Sequence, residues 1–92
     1  MNRAIQLSPG NPLSYLNRGA ANFGLGKFQE ALNDYDKALG LYDGASGLDA
    51  NYSKALFYRG TAQTMLGRKN EARESFRKSC DAGNPEACKQ LY

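Results

Sequence analysis

Residues 15–39, YLNRGAANFGLGKFQEALNDYDKAL, decide the fold. The stretch breaks once, at Gly24–Leu25–Gly26, and carries a helical period on both sides. Beyond the break, Phe28, Ala31, Leu32, Tyr35, Ala38 and Leu39 fall three or four residues apart, on one helix face. Before it, Tyr15, Gly19, Asn22 and Phe23 share a face. Small side chains, Gly19, Ala31 and Ala38, stand where two helices need to approach closely. The pattern predicts a helical hairpin, with helices over Pro12–Gly24 and from about Lys27 to Leu41.

Outward from that hairpin the punctuation is explicit. Ala4, Ile5 and Leu7 read as the end of an earlier helix, stopped by Ser8–Pro9–Gly10, so the chain reads as part of a longer protein. Asn11–Pro12 is a start signal: asparagine caps free amides, and proline at the first helical position gives up no needed donor. Tyr42–Leu48 is glycine-rich and is expected to be loose. Asp49 or Asn51 can cap a third helix, running to about Leu66. Gly67 breaks it, and a fourth helix follows from about Lys69 to Ala82. Gly83–Asn84–Pro85 then repeats the Gly10–Asn11–Pro12 punctuation and opens a last helix, Pro85 to Leu91.

The hairpin recurs. Arg18–Gly19 returns as Arg59–Gly60, Leu25–Gly26–Lys27 as Leu66–Gly67–Arg68, Glu30–Ala31 as Glu71–Ala72, Tyr35 as Phe76 and Lys37 as Lys78, all at an offset of 41 residues. These residues resemble the tetratricopeptide repeat, a helix–turn–helix of about 34 residues marked by aromatic and small positions. Tyr15, Gly19, Ala31, Tyr35 and Ala38 match in the first copy; Leu56, Gly60, Ala72, Phe76 and Ser79 match less well in the second. Relative to a repeat of about 34, the offset of 41 leaves seven extra residues, placed at Tyr42–Leu48.

The resemblance implies an all-α, right-handed helix-turn-helix solenoid of about two hairpins with half-repeats at each end. One domain is expected, with residues 2–8 ending a preceding repeat, 12–41 and 49–82 as the two repeats around the 42–48 insertion, and 85–92 as a cap or the start of another repeat. The departures from the family pattern are specific. Asn22 and Gln63 replace large aromatics, Arg18 and Arg59 replace leucine, and Arg73 stands in the place of Leu32, so looser packing is expected in the second copy.

Composition excludes several functions. The chain has 92 residues, 41% of them hydrophobic, a net charge of +3 and no histidine, which removes the commonest neutral-pH base and metal ligand. No run approaches the roughly 18 apolar residues of a membrane span. Met1–Leu7 has one arginine and no apolar run behind it, so no secretory signal is read there. Gly24–Leu25–Gly26–Lys27 follows no strand, and is a hairpin turn rather than a phosphate loop. Asp34 and Asp36, two apart on a helix, point different ways. No catalytic residue, cofactor, metal or small-molecule substrate is expected.

A partner surface is implied by the resemblance. First helices of each hairpin would line a concave groove, which by position comprises Leu13, Leu16, Asn17, Ala20 and Phe23, then Lys54, Phe57, Tyr58, Thr61 and Met65. Asn17 could hold a peptide backbone through donor and acceptor, Phe57 and Tyr58 would bury apolar area, and Lys54 could meet a carboxylate. Chaperone-binding members clamp a terminal carboxylate with lysine and asparagine; Leu16 and Ala20 occupy those places, so that specificity is not expected. The function expected is a non-catalytic protein–protein interaction module taking a peptide or helical segment with an apolar stretch. The alternatives are a self-associating scaffold and nucleic-acid binding. The second would use the basic Arg68–Lys78 helix, where Arg68, Lys69, Arg73, Arg77 and Lys78 face only Glu71 and Glu74.

Cys80 and Cys88 flank the Gly83–Asn84–Pro85 turn. Antiparallel helices joined by a short turn could bring them within disulfide reach, and cysteine-rich solenoid repeats of exported bacterial proteins carry bridging pairs at this spacing. The alternative is two small core residues in a cytoplasmic protein. With no cysteine in the other hairpin, the reduced form and a cytoplasmic setting are favoured; a disulfide would instead suit an exported or periplasmic one. Two thiolates alone leave zinc short of ligands.

Overall fold

Two asparagine–proline pairs set the reading frame of the helices. The computed structural model describes residues 11–42 and 50–91. The sequence features assigned to residues 2–10, to 43–48, to the Asp49 cap and to Tyr92 lie outside them. Five helices occur among the described residues: α1 (Pro12–Gly24), α2 (Phe28–Leu41), α3 (Ala50–Met65), α4 (Lys69–Asp81) and α5 (Pro85–Lys89). Asn11 opens α1 by accepting the Leu13 amide at 2.9 Å, and Asn84 opens α5 by accepting the Glu86 amide at 3.0 Å. In both, proline follows the cap, where its missing N–H costs nothing.

Glycine follows three of the five described helices, α1, α3 and α4. Gly26, Gly67 and Gly83 have φ of 81°, 79° and 102°, the left-handed region where a Cβ is penalised. The residue after each donates back five positions: Lys27 to the Asn22 carbonyl at 2.8 Å, Arg68 to Gln63 at 2.8 Å and Asn84 to Ser79 at 3.1 Å. One turn design therefore joins α1 to α2, α3 to α4, and α4 to α5.

The helices stack in chain order, each packing on the next, with α1 and α3 also side by side. Alanines at the joints allow the approach: Ala31, Ala38, Ala55 and Ala62 are fully buried, with Leu16, Leu32 and Tyr35, in one core between α1, α2 and α3. A second core of Ala72, Phe76 and Ala87, flanked by Phe57, Cys80 and Leu91, ties α5 to the second hairpin. This is the all-α solenoid expected from the sequence. Arg73 is exposed where Leu32 is buried. The difference goes with position in the stack: α2 lies between α1 and α3, while among the described residues α4 packs between α3 and the five-residue α5. Tyr42, assigned to the loose stretch from sequence, instead closes α2 and is buried, its ring 6.0 Å from Tyr52.

Departures from the family pattern are matched in pairs. Asp34, with a side chain only 6% exposed, accepts from Arg18 Nε at 3.2 and 3.1 Å, from Arg18 Nη2 at 2.8 Å and from Asn22 Nδ2 at 3.0 Å. Forty-one residues on, Ser75 takes the place of Asp34: it accepts from Arg59 Nε at 2.9 Å and donates to Gln63 Oε1 at 2.6 Å. A leucine and an aromatic of the family pattern are thus exchanged, in each hairpin, for an arginine and an amide closing on a buried polar group. Arg59 also reaches Asp36 Oδ1 of the first hairpin at 3.2 Å, and Arg68 reaches Gln29 Oε1 at 3.3 Å, joining the two copies. Ser79, at a family alanine position, is fully buried and donates to the Ser53 carbonyl at 2.6 Å. No helix among the described residues is long and apolar enough to cross a membrane.

Candidate peptide-binding groove

α1 and α3 run side by side, and apolar residues from both meet Tyr35 of α2 around one opening. Ala20 and Phe23 of α1, Phe57, Tyr58 and Thr61 of α3, and Tyr35 of α2 line an open cavity of about 200 Å³. All six are neutral. Tyr35 is 1% exposed, its ring tilted by 42° to that of Tyr58 at 5.8 Å between ring centres. Thr61 donates its hydroxyl to the Phe57 carbonyl of its own helix at 3.0 Å. A second cavity, about 350 Å³, begins at the same Phe57 and Tyr58 and continues past Ser53 and Lys54 to Gly83–Glu86.

Ten residues were expected here from sequence, and the structure sorts them. Ala20, Phe23, Phe57, Tyr58 and Thr61 come together in the first cavity, and Lys54 joins in the second. Leu16 does not: it is 3% exposed and packed in the first core, among residues of α2 and α3. Leu13, Asn17 and Met65 are exposed and line neither cavity. Tyr35 was missed, having been read only as a hairpin-packing residue. A long aromatic can do both, since its ring edge fills the space beside Gly19 while the same ring walls the cavity. The Gly83–Glu86 wall was missed as well, although the turn itself was read.

Burial holds the Tyr35 phenol well above the ordinary tyrosine value of 10.0, with Tyr58 and Asp34 adding to the effect. Above that ordinary value the unfolded chain gives up this proton while the folded chain keeps it. Stability is therefore fully present below about pH 10 and declines as pH rises further. Tyr35→Phe should flatten the fall in Tm between neutral and strongly alkaline buffer; an unchanged slope would refute this.

A third cavity, about 290 Å³ and polar, is lined by Arg18, Asn22, Lys27, Glu30, Asn33 and Asp34. Its principal charges, Arg18 and Asp34, already satisfy one another. On the basic helix, Arg68 and Arg77 stand 3.9 and 3.2 Å from Glu71 and Glu74, and Phe76 is buried.

Cys80 and Cys88 are both half-buried, with Cα atoms 4.8 Å apart and their sulfurs at disulfide-bonding distance. The geometry favours the bridged form over the reduced pair preferred from sequence. A bridge here encloses the Gly83–Glu86 wall of the groove. Closing so short a loop contributes roughly 2–3 kcal/mol in the chain-entropy view, felt locally because α5 is terminal among the described helices. Reduction with a dithiol is expected to raise amide exchange across Pro85–Leu91 while α1 and α2 keep their protection. Exchange that is the same in both redox forms would show that the bridge carries no load.

Comparison with known proteins agrees with this architecture. The family model described as "Tetratricopeptide repeat" matches residues 12–83. The chain is 38% identical over 78 residues to the human zinc finger CCCH domain-containing protein 7B, covering 84% of this chain and 7% of that protein. It is 34% identical over 89 residues to bovine tetratricopeptide repeat protein 36, covering 97% of this chain and 46% of the relative. The chain thus spans less than half the length of either. Among solved structures, the N-terminal domain of stress-induced protein-1 from C. elegans superposes with a TM-score of 0.84 at 26% identity, over 98% of this chain and 72% of that one. With two hairpins in register, a shared turn design and a family match over most of its length, the chain belongs to the tetratricopeptide repeat family.

Proposed function

We propose that the chain is a non-catalytic binding module that holds a segment of a partner protein in the groove between α1 and α3. Tetratricopeptide folds are in general protein–protein interaction modules. The observation that carries the reading is the neutral aromatic cavity of about 200 Å³ formed by both hairpins together. Small-molecule sites usually measure roughly 300–1,000 Å³ and enclose most of their ligand; this one is smaller and open, and suits a side chain presented by a polypeptide. Its walls are a cluster of large aromatics, the residues that dominate binding energy at protein interfaces.

The test is a steric plug. Ala20 is exposed on α1 and lines the cavity, so Ala20→Trp fills it from the open side. A partner captured by the wild-type chain should be lost by Ala20→Trp, with the circular dichroism spectrum unchanged. It should be kept by Lys27→Glu, which alters the polar cleft instead. The reverse pattern would move the working surface off the groove.

A further inference from the structure

The last described helix is fastened differently from the others. α3, sixteen residues long, is anchored in the stack by buried Ala55, Leu56 and Ala62. α5 has five residues and buries one of them, Ala87, with half-buried Leu91 just past its end. A helix that short does not persist alone. Among the described residues it is held by the Gly83–Asn84 turn, by the Ala87 and Leu91 contacts, and by the Cys80–Cys88 link.

The internal repeat shows what else can stand at such a joint. Cys80 lies 41 residues after Leu39. Cys88 holds, after Asn84–Pro85, the place that Tyr15 holds after Asn11–Pro12, and Leu56 is its counterpart in the second copy. Leu39 packs on the first core and Leu56 is 2% exposed. Two cysteines in those places offer less apolar area than two leucines, and in exchange a bond that chemistry can open. Both are half-buried, with Cα atoms 4.8 Å apart. They are close enough to bridge and open enough for a small thiolate to reach.

What α5 covers is apolar. Ala87 and Leu91 lie against Ala72 and Phe76, which are 3% and 7% exposed, with Phe57 packed beside them. The core between α1, α2 and α3 contains no residue of α5, so the release of this helix opens one end of the stack and leaves the rest closed.

We infer that Cys80 and Cys88 form a thiol–disulfide switch: bridged, they hold α5 over Phe57, Ala72 and Phe76, and reduced, they let it swing away while the other four described helices stay folded. The reductant is a dithiol. One of its thiolates attacks a sulfur of the bridge, the S–S bond breaks, and the departing cysteine takes up a proton. The second thiol, losing its own proton, then displaces the mixed disulfide and frees the other cysteine, and the reagent leaves as its disulfide. Two electrons and two protons have passed to the pair, and a disulfide oxidant returns them. The switch needs nothing to be bound in the groove.

The test uses the purified chain without denaturant, first in dithiothreitol and then, with the dithiol removed, in oxidised glutathione. Reduction should let a maleimide trap two thiols, raise the fluorescence of a dye that binds exposed apolar surface, and speed amide exchange at Ala87 roughly 10- to 100-fold. The cooperative thermal transition of the remaining helices should be kept, and every change should reverse on oxidation. Cys88→Ser should bind the dye in both buffers. Cys80→Leu with Cys88→Leu, which supplies the apolar pair of Leu39 and Leu56, should bind it in neither.

A pair that stays as free thiols in oxidised glutathione, or a bridge that opens only in denaturant, overturns the switch. So does reduction that leaves dye binding and exchange unchanged, because α5 then stays docked without the bond. Loss of the cooperative transition on reduction overturns it as well, since the bridge would be bracing the whole fold. A dye response to reduction that persists in Cys88→Ser or in the double-leucine variant places the signal elsewhere and has the same consequence; should the double-leucine variant fail to fold, Cys88→Ser decides.

Discussion

Gly19→Val is expected to cost about 3 kcal/mol or more and to leave the first hairpin without cooperative unfolding. A Cβ at Gly19 would lie 2.6 and 2.8 Å from Tyr35 Cε1 and Cδ1, and 3.2 Å from Asp34 Cβ. Tyr35 cannot step aside, since it is fully packed between α1, α2 and α3. Leaving glycine in a helix interior recovers a few tenths to ~1 kcal/mol of propensity, too little to offset the clash. At ~0.05–0.15 kcal/mol per residue, a domain of this size has little to spare. Gly40→Ala, in α2 with nothing within 4 Å of its Cβ, is the control, and should be neutral or stabilising by up to ~1 kcal/mol. Urea unfolding of both variants checks the pair; equal stabilities would contradict the close approach. Gly60, whose Cβ would meet Phe76 Cε1 at 2.8 Å, should follow Gly19.

Arg18→Leu is the second large effect, and its interest lies in asymmetry between the hairpins. Leucine is the residue expected at this place in the family pattern, yet here it would strand the Asp34 carboxylate, 6% exposed, with Asn22 as its remaining donor. Breaking a buried pair from one side costs about 3–5 kcal/mol. Arg18 is 33% exposed, so water can reach the vacated space, and about 2–3 kcal/mol is the appropriate expectation. In the second hairpin, Arg59→Leu takes a donor from Ser75, which is neutral and still donates to Gln63; about 1 kcal/mol is expected. The double variant Arg18→Leu, Asp34→Leu should recover most of the loss, since no charge is left buried. A double-mutant cycle in denaturant gives the numbers. Comparable costs for Arg18→Leu and Arg59→Leu would show that the carboxylate is not what matters.

What could be read from the sequence was what is local. Asn11–Pro12 and Asn84–Pro85 announce helix starts, Gly26, Gly67 and Gly83 announce turns, and Ala31–Ala38 announces a buried stripe, because each signal acts within one turn of the backbone. The repeat at 41 residues then placed two hairpins in one solenoid. The groove was legible only in part. Leu16 and Ala20 are one helical turn apart on α1, and nothing in the local pattern says that the fold buries the first and leaves the second open. Tyr35 was assigned to one neighbour because a sequence face has one direction, whereas a ring of that length serves two surfaces. The Asp34 network spans 16 residues, beyond any local period. Its signal was present all the same: the two residues that break the family pattern in each hairpin, Arg18 with Asn22 and Arg59 with Gln63, are an arginine and an amide set one turn apart, and such pairs call for a buried polar partner.

Backbone amide chemical shifts, followed in a ¹⁵N-labelled chain as a library-selected peptide is added, test the central claim most directly. The groove account predicts shifts at Ala20, Phe23, Tyr35, Tyr58 and Thr61, extending to Lys54 and Asn84, with Lys27, Glu30 and Asn33 unmoved. Shifts confined to Lys27–Asn33, or to the exposed face of α4, would contradict it.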